Sequence, residues 1–223
     1  SETKYNYEKL SLFDYVKIIA DKSNLKTYFL KEHYRCHPEI IEFSNNFFYK
    51  NELIINTKPK DFSLGDIGIV WINTKGKTAQ EHNFNSAEID TVINLTKRII
   101  KEYPNAEIGI TTPFKHQQNA LKKQESEIAN NNKVEIKTIH KFQGDEKDII
   151  ILSLVVTKEA KSSLTEFINI WAKYLLNVAV TRAISTLYIV GDFEFCKNDN
   201  RNKQKALSKL AEYVELNGKI LNN

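Results

Sequence analysis

Ile149-Ile150-Ile151-Leu152-Ser153-Leu154-Val155-Val156 is apolar but for one serine and lacks the alternation of a strand that keeps one face in water. A run of this kind fits a strand covered on both faces, as in a parallel sheet flanked by helices. Outward from it the chain switches repeatedly between strand and helix signals. Strands are expected over 27–30, 67–72, 107–111, 134–138 and 186–190. Leu12, Phe13, Val16, Ile19 and Ala20 recur at helical spacing, and Pro38 suits the first position of a helix burying Ile40, Ile41, Phe43, Phe47 and Phe48. Asn85 and Glu88 stand three apart before Ile89, Val92, Ile93, Ile99 and Ile100, a capping-box-like opening to a helix that Pro104 stops. Further helices are expected from 114 to about 129, over 172–183 and over 204–216, with Gly218 just past the last and Asn130-Asn131-Asn132 as a polar loop. The fold class is α/β, a mostly parallel sheet with helices on both faces and right-handed crossovers. Ligands of such sheets gather at strand carboxyl ends, where the three motifs described next are expected.

A length of 223 residues with 41% hydrophobic and 27% charged content is that of an ordinary globular chain. Net charge is +4 and the isoelectric point near 8.8, compatible with a polyanionic partner but short of a strong basic footprint. No apolar run approaches the roughly 18–20 residues that cross a bilayer, and Ser1-Glu2-Thr3-Lys4-Tyr5 has no signal-peptide shape, so an intracellular, cytoplasmic protein without a membrane partner is expected. Cys36 and Cys196 form no paired motif and are expected reduced. Methionine is absent altogether, as in a piece of a longer chain or a processed terminus. Residues 1–223 are read as one domain, with a helical lead-in over 1–26, a core over 27–192 and a helical extension over 193–223.

Three motifs carry chemistry. In Asn177-Val178-Ala179-Val180-Thr181-Arg182-Ala183 a small apolar helix delivers Arg182 to the domain edge, where a guanidinium can neutralise charge on a transferring phosphoryl group. In Tyr34-Arg35-Cys36-His37-Pro38, Arg35 is the natural second such group and the Tyr34 ring can lie against a purine. In His140-Lys141-Phe142-Gln143-Gly144-Asp145-Glu146-Lys147-Asp148, Gly144 lets backbone approach phosphate and Glu146 can accept from ribose hydroxyls. Taken singly, each has a plainer reading: a surface arginine, a core tyrosine, a polar turn. A fourth segment, Thr111-Thr112-Pro113-Phe114-Lys115-His116-Gln117, puts Thr112 at an N-cap and Pro113 at N1, so that free backbone amides can hold a phosphate with Gln117 one turn in. Thr138 and His140 end the next strand on the same edge, which suits a track for a nucleic-acid backbone; an ordinary capped helix is the alternative.

In order and spacing these segments resemble the second RecA-like motor domain of superfamily 1 helicases, the 5′-to-3′ branch with the nonsense-mediated-decay and Okazaki-processing enzymes. The resemblance runs from about Ser11 to Asp192. It implies a RecA-like fold without its own phosphate loop. By it, Tyr34, Arg35, Gly144, Glu146 and Arg182 line an ATP cleft, with Arg35 and Arg182 catalytic, while Thr112, Pro113, Gln117 and Thr138 contact single-stranded DNA or RNA. Two positions depart from the family pattern: Cys36 stands where a methionine is usual, and Tyr174-Leu175 where an arginine pair is common.

No Gly-x-x-x-x-Gly-Lys-Ser/Thr loop and no strand-ending Asp-Glu pair exists in the chain. Gly76-Lys77-Thr78 only imitates one, since Trp71 occupies the position of the first glycine. Half an active site is therefore expected, inactive alone, with Mg²⁺ ligands and the remaining ATP contacts supplied by an N-terminal RecA-like domain of a longer chain. The competing reading is a degenerate, non-enzymatic module of the same fold that binds nucleic acid or protein. His33, Cys36 and His37 offer ligands for a metal, but no second cluster accompanies them, and a Cys36–His37 nucleophile lacks a third group. A dinucleotide-binding protein would need a Gly-x-Gly-x-x-Gly turn that is missing.

Overall fold

Every pairing in the main sheet is parallel, as the unbroken apolar run requires. The computed structural model describes residues 11–58, 68–79, 83–128, 133–142, 144–171 and 173–223. Ile67, Ala129, Asn130-Asn131-Asn132, Gln143 and Ala172, which figured in the sequence reading, lie outside the described residues. The chain divides into two compact units, Ser1–Glu32 and His33–Asn223.

The first unit contains α1 (Leu12–Lys22), opened by a capping box in which Ser11 accepts the Asp14 amide and Asp14 takes the Ser11 amide. None of its residues is buried. The strand expected over 27–30 does not form: Tyr28 and Leu30 are among the most exposed apolar side chains, with no sheet neighbour among the described residues to pair them.

The second unit begins at His33, the last residue of the two-residue strand β1 (Glu32–His33), and continues through α2 (Pro38–Phe48), β2 (Ile54–Ile55), β3 (Gly68–Asn73), α3 (Ser86–Glu102), β4 (Ile108–Thr112), α4 (Lys115–Lys123) and β5 (Val134–Thr138). A 3-10 turn, Ile139–Phe142, leads to β6 (Lys147–Ser153). Then come α5 (Ser162–Glu166), a π-helical turn Phe167–Trp171, α6 (Lys173–Val180), β7 (Ala183–Gly191), α7 (Phe193–Asn198), α8 (Ala206–Asn217) and β8 (Lys219–Asn222). The sheet order is β5-β4-β6-β7-β3-β8.

Side-chain alternation on this sheet splits the core in two. Ile69 and Trp71 of β3, Ile150 and Leu152 of β6, and Leu187 and Ile189 of β7 pack with α2, α6, α7 and α8. Val70 and Ile72, Ile149 and Ile151, and Tyr188 and Val190 face the other way, onto α3 and α4. Helices thus cover both faces, as the sequence implied. Among the described residues no helix is long and apolar enough to cross a membrane.

Several boundaries differ from the sequence reading, each for a local reason. Thr112 is not an N-cap. It is the last residue of β4, paired with Thr138, and its hydroxyl accepts the Phe114 amide at 3.4 Å. Phe114 becomes the N-cap and α4 starts at Lys115, so Pro113 stands outside the helix. α4 also stops at Lys123, with a 3-10 turn Glu125–Glu127 beyond it. β6 ends at Ser153 rather than Val156, because Val155 takes a φ of +73° that no ladder accommodates. Helix α6 ends at Val180 and β7 already begins at Ala183, leaving Thr181 and Arg182 as the turn between them. β8 was not foreseen at all.

Candidate functional site

Glu146 immediately precedes β6 and Arg182 immediately precedes β7, whose first residues Lys147 and Ala183 are paired. The arginine cluster therefore lies at the amino end of the strands. This corrects the expectation of a carboxyl-end position. The reason is simple: a residue in the turn that feeds a strand from a helix sits at that strand's start, whatever its chemistry.

Two bonds bring Tyr34-Arg35-Cys36-His37-Pro38 to this spot. The His37 amide donates to the Ile184 carbonyl at 2.7 Å, and the Cys36 thiol donates to the Thr181 carbonyl at 3.4 Å. His33 Nε2 accepts the Cys36 amide at 2.9 Å, and His37 Nδ1 caps α2 by accepting the Glu39 amide. Held this way, Arg35 forms an ion pair with Glu146 at 2.5 Å. Arg182 Nη1 donates to the Asp145 carbonyl at 3.3 Å, while its buried Nε has no hydrogen-bond partner among the described residues. Burial first, and then the neighbouring Arg35 charge, make the Arg182 guanidinium less favourable than usual. Two like charges have been brought together beside one carboxylate, which is an arrangement suited to an anion with several oxygens.

Tyr34 is 68% exposed beside this pair. Gly144 has a φ of +99° with open space around it, so its backbone is accessible and a side chain there is strained by φ alone. Cys36 is buried, and burial pushes its thiol up to about 12 despite the two arginines. It is no nucleophile at neutral pH. Among the described residues no group of three or more His, Cys, Asp or Glu side chains is arranged to hold a metal. Gly76-Lys77-Thr78 cradles nothing, because the Thr78 hydroxyl donates to the Val155 carbonyl at 2.7 Å and accepts the Thr157 amide at 3.0 Å.

Thr112, Pro113, Gln117, Thr138 and His140 occupy the opposite, carboxyl end of β4 and β5. A seven-residue strand such as β6 separates the two ends by roughly 20 Å. Thr138 is half-buried and His140 exposed, but Thr112 and Pro113 are buried. Gln117 is completely enclosed: its Oε1 accepts the Asn85 amide at 2.9 Å, and its Nε2 donates to the Asn85 carbonyl at 3.3 Å and to Ser153 Oγ at 2.9 Å. Its side chain braces α4 from within and does not face outward.

Sequence reasoning missed what Gln117 braces. Glu88, read only as part of a capping box, is fully buried and accepts from Ser153 Oγ at 2.6 Å, Asn85 Nδ2 at 3.2 Å and the Val155 amide at 2.9 Å. Burial outweighs these donors and raises it from 4.5 to about 8. A carboxyl held protonated by folding binds more protons folded than unfolded, so its contribution is complete below pH 4.5 and is lost as pH rises to about 8. At ~1.4 kcal/mol per unit the loss is at most a few kcal/mol. Half-buried His33 and buried His37, both lowered from 6.5 by desolvation first, oppose it below that value. Urea unfolding of wild type against Glu88→Gln isolates the effect: the wild type should lose stability relative to the variant as pH rises from 5 to about 8, and parallel curves would refute it.

The sequence profile described as an AAA domain matches residues 9–194. The chain is 29% identical to the DNA polymerase alpha-associated DNA helicase A of Saccharomyces cerevisiae, over 94% of this chain and 33% of that protein. It is 30% identical to the helicase sen1 of Schizosaccharomyces pombe, over 87% of this chain and 12% of that one. Identity is also 30% to the Regulator of nonsense transcripts 1 homolog of Drosophila melanogaster, over 82% and 16% respectively. The chain thus spans a third or less of these relatives. Among solved structures, the C-terminal domain of a possible DNA helicase from Lactobacillus plantarum matches with a TM-score of 0.44 and 15% identity, over 71% of this chain and 86% of that one. With the profile covering most of its length, the chain belongs to the AAA-domain family and is a superfamily 1 helicase domain.

Proposed function

We propose that this chain is the second motor domain of an ATP-dependent helicase or translocase, completing an ATP cleft whose phosphate loop and Mg²⁺ ligands belong to a first motor domain. The carrying observation is the convergence of Arg35 and Arg182 on Glu146, with a buried Arg182 Nε left unpartnered among the described residues. Crowded guanidiniums repel each other and are tolerated where an anion will join them. The residues present suit phosphate oxygens and not a magnesium ion, for which acceptor oxygens are needed in number. In this reading Arg35 exchanges Glu146 for a phosphate oxygen, the freed carboxylate turns to the ribose hydroxyls, the exposed Tyr34 ring meets the base, and Gly144 brings its backbone to the phosphates.

The nucleic-acid track runs along the carboxyl end, over Thr138, His140 and the backbone near Thr112 and Pro113. Gln117 acts there as an internal brace. Contacts of this type read phosphate and sugar, so DNA and RNA are both admissible partners. Two of the relatives named above are helicases by name, which supports the same assignment here. Joined to its first motor domain, the protein should hydrolyse ATP with stimulation by single-stranded nucleic acid, whereas the 223-residue chain alone should not turn over. A phosphate-release assay on both decides: turnover by the isolated chain, or none by the joined protein, ends this reading.

A further inference from the structure

Hydrogen-bond directions around Glu88 leave it one role. The Asn85 amide donates to Gln117 Oε1, so the Gln117 Nε2 must donate onward to Ser153 Oγ. The Ser153 hydroxyl hydrogen is then left for Glu88 Oε2. Asn85 is oriented in the same way, because its Oδ1 accepts the Ala87 and Glu88 amides and its Nδ2 therefore faces Glu88 Oε1. The Val155 amide reaches both carboxylate oxygens at 2.9 Å. Every neighbour is a donor. A carboxylate satisfies them all at once, whereas a proton on Oε1 faces the Asn85 donor and one on Oε2 requires the Ser153 hydroxyl hydrogen to turn away.

What this cluster holds lies at the carboxyl end of β6. Val155, a β-branched residue at φ +73°, is clamped by Glu88 on its amide and by Thr78 on its carbonyl. Through Ser153 and Gln117 the same carboxylate reaches the first turn of α4. We propose that Glu88 is a positioning residue for the nucleic-acid edge: when ionised it fixes the β6 exit and the start of α4, and its neutral form leaves that edge looser and weakens binding of single-stranded nucleic acid. The inference rests on the proposed role of that edge.

Glu88 meets Asn85 on its own helix, Ser153 with the Leu154 and Val155 amides from β6, and Gln117 of α4 through Ser153. From α7 the Cys196 thiol is pushed up by burial first and then by the charges of Glu88 and Asp192, so it stays neutral throughout. Among the described residues no charged side chain contributes to the Glu88 shift, which burial dominates and which centres its titration near 8, within reach of a buffer series.

The experiment combines ¹⁵N NMR of the chain with fluorescence anisotropy of a labelled oligothymidylate and a labelled oligouridylate between about pH 6 and about pH 9, where a group raised this far titrates. In wild type the Val155 amide and the Gln117 side-chain amide should shift with a common midpoint near 8, and affinity should rise severalfold through the same midpoint. Glu88→Gln should abolish both steps. Ser153→Ala, which cuts the link and keeps the carboxyl, should preserve the Val155 titration, lose that of Gln117 and shrink the affinity step; it also serves if Glu88→Gln does not fold. Oligonucleotide binding that stays flat while Val155 titrates overturns the positioning role and spares the proposed function. Binding of neither oligonucleotide at any pH overturns both. The absence of any Val155 step in wild type overturns the inference at its root.

Discussion

Arg182→Ala is expected to lower kcat for ATP hydrolysis by the joined protein about 10³- to 10⁵-fold, the range in which an arginine finger acts on phosphoryl transfer. Folding should barely register the change. Within the described residues the guanidinium makes one weak bond, to the Asp145 carbonyl at 3.3 Å, and its Nε has no partner, so little native stabilisation goes with it. The turn that carries it is held by backbone, with the Arg182 carbonyl accepting the Lys147 amide at 3.0 Å, and alanine keeps that bond. KM should change far less than kcat, since the charge being stabilised develops in the transition state. Arg182→Lys should recover little, because an ammonium cannot present two parallel donors to phosphate oxygens. Arg35→Ala should also be slow, and the double variant should fall well short of the product of the two single losses, as happens when groups act as a unit. Steady-state ATPase assays beside thermal unfolding make the comparison. A kcat within tenfold of wild type for Arg182→Ala would remove the finger.

The sheet was readable because burial on two faces leaves a signature in composition: the isoleucine-rich run of β6 and the helical spacing of α2 and α3 are both statements about which sides of an element meet water. The family resemblance lay in three short segments of fixed order. Which end of the sheet those segments occupy was not readable, because it depends on where a turn ends and a strand begins, and the ladder took Ala183 from the expected helix and extended β7 back over Ile184 and Ser185. β8 escaped for a related reason. Its four residues, Lys219-Ile220-Leu221-Asn222, bury little and, among the described residues, pair on one side only, with β3, so they carry no periodicity. Gln117 and Glu88 read as polar helix residues with no sign of enclosure. Only the packing of α3, α4 and the β6 exit against each other removes them from water and turns two ordinary side chains into one network.

Trp71→Ala should cost about 3–5 kcal/mol of folding stability, the usual range for deleting a large buried aromatic. Trp71 is fully buried in the core beneath α7, its ring edge-to-face with Phe193 at 5.3 Å and 83°. Its Nε1 donates to the Gly191 carbonyl at 2.9 Å. One side chain thus joins β3 to the end of β7 and to the helix that follows. Truncation leaves a cavity that backbone-bound neighbours on a parallel sheet cannot close, and removes one donor from a buried carbonyl, though Thr74 still supplies another at 3.1 Å. Trp71→Phe keeps most of the volume and the ring contact, and should cost clearly less. Urea titrations with fixed m-values measure the difference. Among the described residues the Trp71 hydrogen bond and ring contact go to Gly191 and Phe193, outside the arginine cluster and the Glu88 network, so the ATPase rate per folded molecule of the joined protein should be unchanged, in contrast to Arg182→Ala. A cost below about 1 kcal/mol would mean that β3 does not present Trp71 to this core, and the two-faced sheet on which the site is built would have to be redrawn.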